Sequence, residues 1–474
     1  MSPYLFLLCA EGFTALLAKA ELEERIKGVS ICKGAHRVTN LLFVNDSLLF
    51  CQAIQNEGEA IVEILQTYAN ALGQSINLEK SSVYFSTNTN GVQKQQMLQI
   101  LGVKEVMKFK SYLGLPTLIG RATYHTFSYL KDRIWKKLQG WKGMLLSRAG
   151  KGILIKEVAQ SIPTYTMSVF QLPMKLCNEL DSLCAKSWWG QVGNERKIHW
   201  TNWDKLSTSK MEGGMGFRDL RDFNLAMLAK QGWRMLQGND SLLYKCFKAR
   251  YFPGCSYVWR SLVVVIPILR SGYCWRVGNG SSISVLGDKW IPNYPTNKVF
   301  HPTNVLVDEM AVSELIDSDS HVWRNDAIMA LFYREDADAI TKIPLSRRVV
   351  PNSISWLHSK NGKFTVQSAY KVARRMRGNG NQVESSGSCV GKFIWLVLWK
   401  LSIPNKIKIF GWRACNDILL TWINLVKRRI INEDKCPICT REVETAIHVL
   451  WGYAAVIDVW VGSIPKLQKG NSVF

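Results

Sequence analysis

The chain has 474 residues, of which 60 are Lys or Arg and 37 are Asp or Glu, so its formal net charge is +23. Hydrophobic residues make up 47% of the chain, which excludes a disordered protein and predicts several folded domains of roughly 100–200 residues each. No apolar run reaches the roughly 18 residues that a membrane span needs. Among twelve cysteines only Cys436 and Cys439 form a close pair. We therefore expect an intracellular protein of the nucleus or cytoplasm, and not a secreted disulfide scaffold.

The positive charge lies in two segments of the chain. Residues 111–250 contain 22 basic and 10 acidic side chains, and residues 341–435 contain 18 and 4, whereas residues 1–110 contain ten of each. A basic surface that neutralises phosphates releases counterions, so nucleic acid is the expected partner. The alternative is a surface whose lysines serve solubility alone.

The elements are predicted in chain order from hydrophobic periodicity and turn residues. The chain opens with a helix over 3–25, a β-hairpin over 38–50, a helix over 53–72 that ends at Gly73, and a short strand over 81–85. A mostly helical stretch follows from 121 to 236, and then short strands such as 273–277. A polar, flexible segment over 376–391 precedes a compact helical region that extends to Trp460.

The hairpin has a carboxylate in an otherwise apolar sequence. Apolar strands flank a predicted turn at Asn45 and Asp46, and Asn-Asp is an ordinary turn dipeptide. Transfer of a nucleotide by two metal ions also needs carboxylates that are held rigidly where divalent ions bridge them to the triphosphate. Two interpretations of this pattern remain: an ordinary turn without a catalytic role, or a hairpin that presents a catalytic carboxylate.

Four motifs along the first 116 residues carry a family resemblance. They are Ser2-Pro3-Tyr4-Leu5-Phe6, Leu42-Phe43-Val44-Asn45-Asp46-Ser47-Leu48, Gly73-Gln74-Ser75-Ile76-Asn77-Leu78-Glu79-Lys80-Ser81 and Tyr112-Leu113-Gly114-Leu115-Pro116. In this order they resemble the later palm motifs of reverse transcriptases from plant-type non-LTR retrotransposons. The resemblance implies a polymerase palm that uses Mg²⁺, followed by a helical thumb.

The resemblance also implies roles for individual residues. Asp46 matches a metal-binding aspartate, and Asn45 stands where the family has a second one. Lys80 matches a lysine that acts as general acid on the leaving pyrophosphate, and Tyr112 and Gly114 match the stretch that grips the primer strand. The family's earlier palm strand, with its own aspartate, and its fingers would lie upstream of Met1. Because one of three expected carboxylates is present, we expect a truncated, catalytically impaired polymerase.

The thumb-like segment combines cations with tryptophans. Nine basic side chains and one acidic side chain occur between 121 and 156. Lys and Arg contact phosphates, so we select the following as nucleic-acid-binding candidates: Arg121, Lys131, Arg133, Lys136, Lys137 and Lys142. Trp135, Leu138 and Trp141 recur at near-helical spacing, which favours a place in the core for both tryptophans over a stacking role.

A candidate metal site lies near the C-terminus. Cys436, Cys439 and His448 give the spacing C-x2-C-x8-H, and two thiolates with a histidine are typical of zinc sites. The surrounding residues 362–370 and 399–413 resemble the zinc-binding domain of the same retrotransposons. That family ends its pattern with a cysteine where this chain has Tyr453. Water, Glu442 or Glu444 would then complete a Zn²⁺ site, and the alternative is a metal-free helical domain.

The predicted fold class is therefore α+β: a truncated polymerase palm with a β-hairpin, a mostly helical thumb and connector, and a small helical zinc-knuckle-like domain. The predicted boundaries are 1–118 for the partial palm, 119–250 for the thumb and connector, 251–350 for a connector with short strands, and 351–474 for the zinc-binding-like domain.

Three functional interpretations remain from the sequence. The first is a truncated RNA-directed DNA polymerase with RNA, RNA–DNA hybrid or DNA as its partner and no contact with a membrane. The second is a non-catalytic nucleic-acid-binding remnant with a degenerate zinc knuckle. The third is a translated relic without a molecular function.

Overall fold

A computed structural model describes most of the chain. The described residues are 3–30, 37–44, 46–73, 76–107, 109, 111–117, 119–120, 122–141, 144, 146–190, 197–238, 242, 244–245, 256–300, 310–378 and 389–462. Asn45, Arg121 and Lys142, and most of the polar segment predicted over 376–391, lie outside these residues.

Helices dominate the described chain. The α-helices are α1 (Pro3–Leu22), α2 (Gln55–Leu72), α3 (Gly91–Leu101), α4 (Thr123–Phe127), α5 (Tyr129–Gly140), α6 (Arg148–Leu154), α7 (Thr164–Met167), α8 (Met174–Trp189), α9 (Trp203–Ser207), α10 (Leu220–Leu236), α11 (Tyr257–Val263), α12 (Ile266–Gly272), α13 (Asn325–Leu331), α14 (Arg334–Thr341), α15 (Val366–Gly378), α16 (Cys389–Lys400), α17 (Asn405–Cys415), α18 (Trp422–Lys427) and α19 (Ala454–Val461). Single-turn π-helices cover Ile155–Ala159 and His448–Gly452, and short 3₁₀-helices cover Lys210–Glu212 and Val312–Leu315. None of the described helices has both the length and the apolar character to span a bilayer.

The strands are short. They are β1 (Val29–Ser30), β2 (Arg37–Val38), β3 (Asn40–Phe43), β4 (Asp46–Leu49), β5 (Ser82–Val83), β6 (Lys104–Glu105), β7 (Ser111–Tyr112), β8 (Leu115–Pro116), β9 (Tyr273–Arg276) and β10 (Ser353–Trp356). β1–β2, β3–β4 and β7–β8 pair antiparallel, and β5–β6 pair parallel. This combination of many helices and small sheets confirms the α+β fold class.

The predicted hairpin forms with its turn one residue earlier than expected. Phe43 pairs with Asp46 and Asn40 pairs with Leu49, so Asp46 is the first residue of β4 and the prediction that it lies in the turn is wrong. Val44 follows β3 with φ at 51°, the left-handed conformation that a two-residue hairpin turn requires. The next helix, α2, ends at Gly73 with φ at 65°, as predicted, because glycine adopts this conformation without a steric cost.

The chain forms two compact units, each assembled from three segments. One unit contains residues 1–122, 231–263 and 274–354, and the other contains residues 123–230, 264–273 and 355–474. In the first unit, Phe13 and Leu17 of α1 pack with Ile61 and Ile64 of α2, and Leu42 of β3 packs against them. The palm-like residues therefore have an apolar core of their own.

The second unit joins the thumb-like helices to the segment that contains the cysteine pair. Trp412 of α17 is fully buried, and its Nε1 donates to the Gly213 carbonyl at 2.8 Å. The Arg377 guanidinium at the end of α15 lies 2.6 Å from Asp219 Oδ2 and 3.0 Å from Asp222 Oδ2. A buried tryptophan and a multiply paired arginine thus fix α17 and the end of α15 against residues 204–222.

Candidate zinc centre and nucleic-acid interface

A tight backbone turn brings the cysteine pair together. The Cys436 N–H donates to the Glu442 carbonyl at 2.8 Å, and the Thr440 N–H donates to the Cys436 carbonyl at 2.8 Å. Thr440 has φ at 57°, which allows the chain to reverse direction within a few residues. The π-helix His448–Gly452 then follows, and its first side chain is buried.

The three predicted ligands converge. The Sγ atoms of Cys436 and Cys439 and a ring nitrogen of His448 all lie within 4.8 Å of one another. His448 Nε2 lies 3.5 Å from Cys439 Sγ, and a tetrahedral zinc ion with Zn–S of about 2.3 Å and Zn–N of about 2.0 Å needs about 3.5 Å there. The donor set and its spacing therefore fit a zinc ion.

The local electrostatics favour a thiolate. Backbone N–H groups of Glu442 and Arg441 are directed at Cys439 and lower the pKa of its thiol to about 7, with smaller contributions from Cys436 and His448. The thiolate is the form of cysteine that binds metal ions. The lowered pKa therefore favours the form of Cys439 that can act as a metal ligand.

Glu442 contacts the opposite side of the imidazole ring. Its Oε2 lies 2.9 Å from His448 Nδ1, the nitrogen that does not face Cys439. Glu444 Oε1 instead accepts from the Trp422 N–H at 3.3 Å. Within the described residues neither carboxylate joins the cluster of three ligands, so the interpretation of Glu442 or Glu444 as the fourth ligand is wrong in this geometry.

Tyr453 occupies the position of the family's last cysteine. It follows the π-helix directly, and its ring lies 6.3 Å from the His448 ring, centroid to centroid, in an edge-on arrangement. Its backbone N–H donates to the His448 carbonyl at 2.8 Å. Tyr453 therefore packs beside the site, and a zinc ion bound there would need a fourth ligand such as water.

The cations predicted on α5 differ in their environments. Lys131 Nζ lies 2.7 Å from Glu179 Oε2, and this hydrogen bond, together with the glutamate's charge, raises the pKa of Lys131. Arg133, Lys136 and Lys137 are exposed. The structure thus places Arg133, Lys136 and Lys137 where solvent and polyanions reach them, and Lys131 in an ion pair.

Trp135 does not belong to the core, contrary to the prediction. The buried stripe of α5 consists of Leu130, Ile134 and Leu138, which repeat every fourth residue, and Trp135 is one residue out of phase and 50% exposed. Trp141, at the end of the same helix, is half-buried. The exposed Trp135 ring therefore accompanies the exposed cations of α5.

The palm candidates are spread over separate turns. Asp46 and Lys80 are exposed, and Lys80 ends a turn whose backbone N–H groups are capped by Asn77. Tyr112 lies in β7, and Gly114, with φ at 76°, forms the tight turn to β8. Within the described residues Asp46 belongs to no cluster of three or more potential metal ligands.

The sequence does not reveal Glu442 as the hydrogen-bond partner of His448. Spacing along the chain suggests only that Glu442 is near the site, because it does not show which imidazole nitrogen the carboxylate faces. The turn between Cys436 and Glu442 decides that geometry.

Comparisons with known proteins agree with these observations. Residues 364–460 match the family described as zinc-binding in reverse transcriptase. A protein of Arabidopsis thaliana named as a ribonuclease H protein is 27% identical over 377 residues, which is 75% of this chain and 58% of that protein. An uncharacterised mitochondrial protein of Arabidopsis thaliana is 39% identical over 143 residues, which is 28% of this chain and 93% of that protein.

The chain thus spans 58% of the length of the longer of these two relatives. The matched segment contains all three converging ligands, Cys436, Cys439 and His448. Residues 364–460 therefore carry the zinc-binding region of reverse transcriptases, and these comparisons support the resemblance of the chain to the reverse transcriptases of plant non-LTR retrotransposons.

Proposed function

We propose that the chain binds the sugar–phosphate backbone of RNA–DNA hybrid as part of a retrotransposon RNA-directed DNA polymerase. The observation that carries this proposal is the exposed face of α5, with Arg133, Lys136 and Lys137 beside the half-exposed Trp135. Cations bind phosphates without regard to sequence, and an aromatic face stacks on an unpaired base where the duplex ends. Lys131 supports the helix through Glu179.

The zinc-binding region has a structural part in this proposal. Cys436, Cys439 and His448 would hold Zn²⁺ with water as the fourth ligand, and the ion would cross-link the turn to the π-helix that follows it. Zinc supplies folding free energy to small segments of this kind.

Polymerisation by the chain itself is proposed to be weak. Two-metal catalysis neutralises charge through several carboxylates, and the sequence offers Asp46 with Asn45 in place of its neighbour. The second candidate function is therefore nucleic-acid binding without nucleotide transfer. Asp46 lies outside any cluster of potential metal ligands in the described chain, which favours this second candidate.

Binding and extension by the same purified chain test both proposals. Fluorescence anisotropy with a labelled RNA–DNA hybrid should give a salt-dependent affinity, and the double variant Lys136→Glu with Lys137→Glu should weaken it at every hybrid sequence. The slope of log K against log salt is negative, and in the double variant it should become less negative by about 2, since each lost phosphate contact contributes about 0.9. A matched control is Lys104→Glu, which changes an exposed lysine of β6.

Primer extension with Mg²⁺ and deoxynucleotides separates the two candidates. Binding without extension supports the non-catalytic interpretation, and extension at the rate of an active polymerase would refute impaired catalysis. A salt slope that is equal in the wild type, the double variant and the control would refute the role of α5.

A further inference from the structure

A cavity lies beside the turn that joins α17 to α18. Its volume is about 190 Å³, and its lining combines Trp200, which precedes α9, with residues of the turn and of α18. The lining residues that carry a charge or an amide are Asn416, Asp417, Asn424, Lys427 and Arg428. All of them belong to the second compact unit. Sites for drug-sized ligands measure about 300–1,000 Å³, so this cavity suits a smaller group, such as one ring system.

Hydrogen bonds hold the walls of the cavity in place. Asn424 is buried, and its Nδ2 donates to the carbonyls of Asp417 at 3.0 Å and of Leu419 at 3.1 Å. Arg428 Nη2 donates to the Trp200 carbonyl at 3.0 Å, which ties the end of α18 to a residue 228 positions earlier in the chain. A ligand therefore meets walls that are already fixed, and it does not have to order them on binding.

The charged groups of the cavity are accessible to a ligand. Lys427 Nζ lies 3.1 Å from Asp417 Oδ2, and these side chains are 56% and 53% exposed. Such an exposed ion pair is weak, so Lys427 can exchange the carboxylate for a phosphate. Arg428 is also exposed, and the guanidinium has further N–H donors beside the one that serves Trp200. Two cations thus stand at the rim of one small cavity.

We propose that this cavity takes one unpaired nucleotide, with its phosphate at Lys427 and Arg428 and its base beside Trp200. Arginine and lysine both bind phosphate, the first through its planar fork and the second as a point charge. Asn416 Nδ2 is bound to the Trp412 carbonyl at 2.9 Å, and its Oδ1 can accept from the N–H groups of a base.

Two sources supply such a nucleotide. One is the unpaired end of a bound strand, and for this source the inference rests on the proposed function. The other is a free nucleotide, which offers the same phosphate and base. In either case the cavity adds to the proposed role of α5, because backbone contacts to a duplex do not require an unpaired base.

Calorimetric titration of the full chain with adenosine monophosphate tests the cavity without a strand. Adenosine monophosphate should bind about tenfold more tightly than inorganic phosphate, which lacks the base. Arg428→Gln and Lys427→Gln should each weaken its binding roughly tenfold, because each substitution removes a charged donor to the phosphate. The matched control is Arg429→Gln, which removes the same charge from the next residue, outside the lining of the cavity.

Asp417→Asn is a variant for which we expect the opposite effect. It releases Lys427 from its ion pair with Asp417, so adenosine monophosphate should bind about two- to fivefold more tightly. Asparagine keeps an acceptor for Asn424 Nδ2 and tolerates the left-handed backbone of this position, where φ is 51°. A misfolded variant would lose affinity, so it cannot imitate this gain.

Fluorescence anisotropy with two RNA–DNA hybrids tests the strand as the source. One hybrid is blunt, and the other has a short unpaired ribonucleotide extension at one end. The wild type should bind the extended hybrid about tenfold more tightly, and Arg428→Gln should abolish this preference. The double variant Lys136→Glu with Lys137→Glu should weaken the binding of both hybrids and keep the preference, because α5 is proposed to contact the paired backbone.

The outcomes separate this site from the proposed function. Binding of adenosine monophosphate that depends on Lys427 and Arg428 supports the cavity even if neither hybrid binds, and it then assigns the cavity to free nucleotides. A preference for the extended hybrid assigns it to the strand. The proposal is overturned if the wild type binds adenosine monophosphate no better than inorganic phosphate, if Arg429→Gln weakens binding as much as Arg428→Gln, or if Asp417→Asn weakens it.

Discussion

Glu442 is expected to strengthen zinc binding although it is not a ligand. Its Oε2 lies 2.9 Å from His448 Nδ1, so it orients the ring and directs Nε2 toward Cys439. Loss of such a carboxylate typically weakens metal binding about 10- to 100-fold. Because the Glu442 side chain is 71% exposed, water competes for the same hydrogen bond, and we expect Glu442→Gln to weaken zinc binding by about tenfold.

A competition titration with a chromophoric zinc chelator at constant pH measures this effect. Glu442→Ala should weaken binding more than Glu442→Gln, because the amide oxygen of Gln can still accept from Nδ1. Both substitutions retain the Glu442 backbone N–H that is directed at Cys439. Glu433→Gln, at an exposed position of the same region, is the control and should bind zinc like the wild type.

Two results would refute this reasoning about the zinc site. If Glu442→Ala binds zinc within twofold of the wild type, the contact with His448 Nδ1 does not orient the ligand. If Cys439→Ser retains full affinity, zinc does not bind at this cluster at all.

Three further predictions concern stability, each measured by urea unfolding. Burial and Asp219 raise the pKa of Asp222 to about 6, so its ionised form is disfavoured in the fold and stability should fall as pH rises from about 4 to about 6. In Asp222→Asn the free energy of unfolding should depend less on pH over this range. A pH dependence equal to that of the wild type would contradict the assignment to Asp222. Trp412→Phe removes the bond to the Gly213 carbonyl and should cost about 1–3 kcal/mol; a cost below measurement error would count against that bond. Val44 is a β-branched residue in the left-handed conformation, so Val44→Gly should remove backbone strain and stabilise the fold by up to about 1 kcal/mol. A less stable variant would show that this conformation of Val44 is not strained.

Local patterns predicted much of this structure, and the errors have local causes. The end of α2 at Gly73 follows from a glycine after an amphipathic stretch. The sequence predicts the hairpin correctly but places its turn one residue too late. Asn-Asp favours a turn in isolation, whereas the pairing of Phe43 with Asp46 across the strands decides the register. Trp135 was misassigned because its spacing to Leu138 is also helical, and only the full stripe of buried residues identifies the core face.

In the candidate zinc site, too, spacing along the chain predicts some features, whereas others depend on how the chain folds. Spacing along the chain predicted the three ligands that converge. The contact between Glu442 and His448 depends on a turn, and the hydrogen bond from Trp412 to the Gly213 carbonyl joins elements that lie 199 residues apart in the chain. No local pattern contains those contacts.

The division of each compact unit over three segments of the chain limits where a truncation of this sequence can be tolerated. Because each unit draws on three separate segments, no single break in the chain yields two self-sufficient pieces. A copy that stops before residue 355 would lose Trp412 and Arg377, the partners of residues 204–222, and would expose the surface they cover. The zinc-binding region therefore packs as part of a larger compact unit, and its loss would leave residues 204–222 without the partners that cover them.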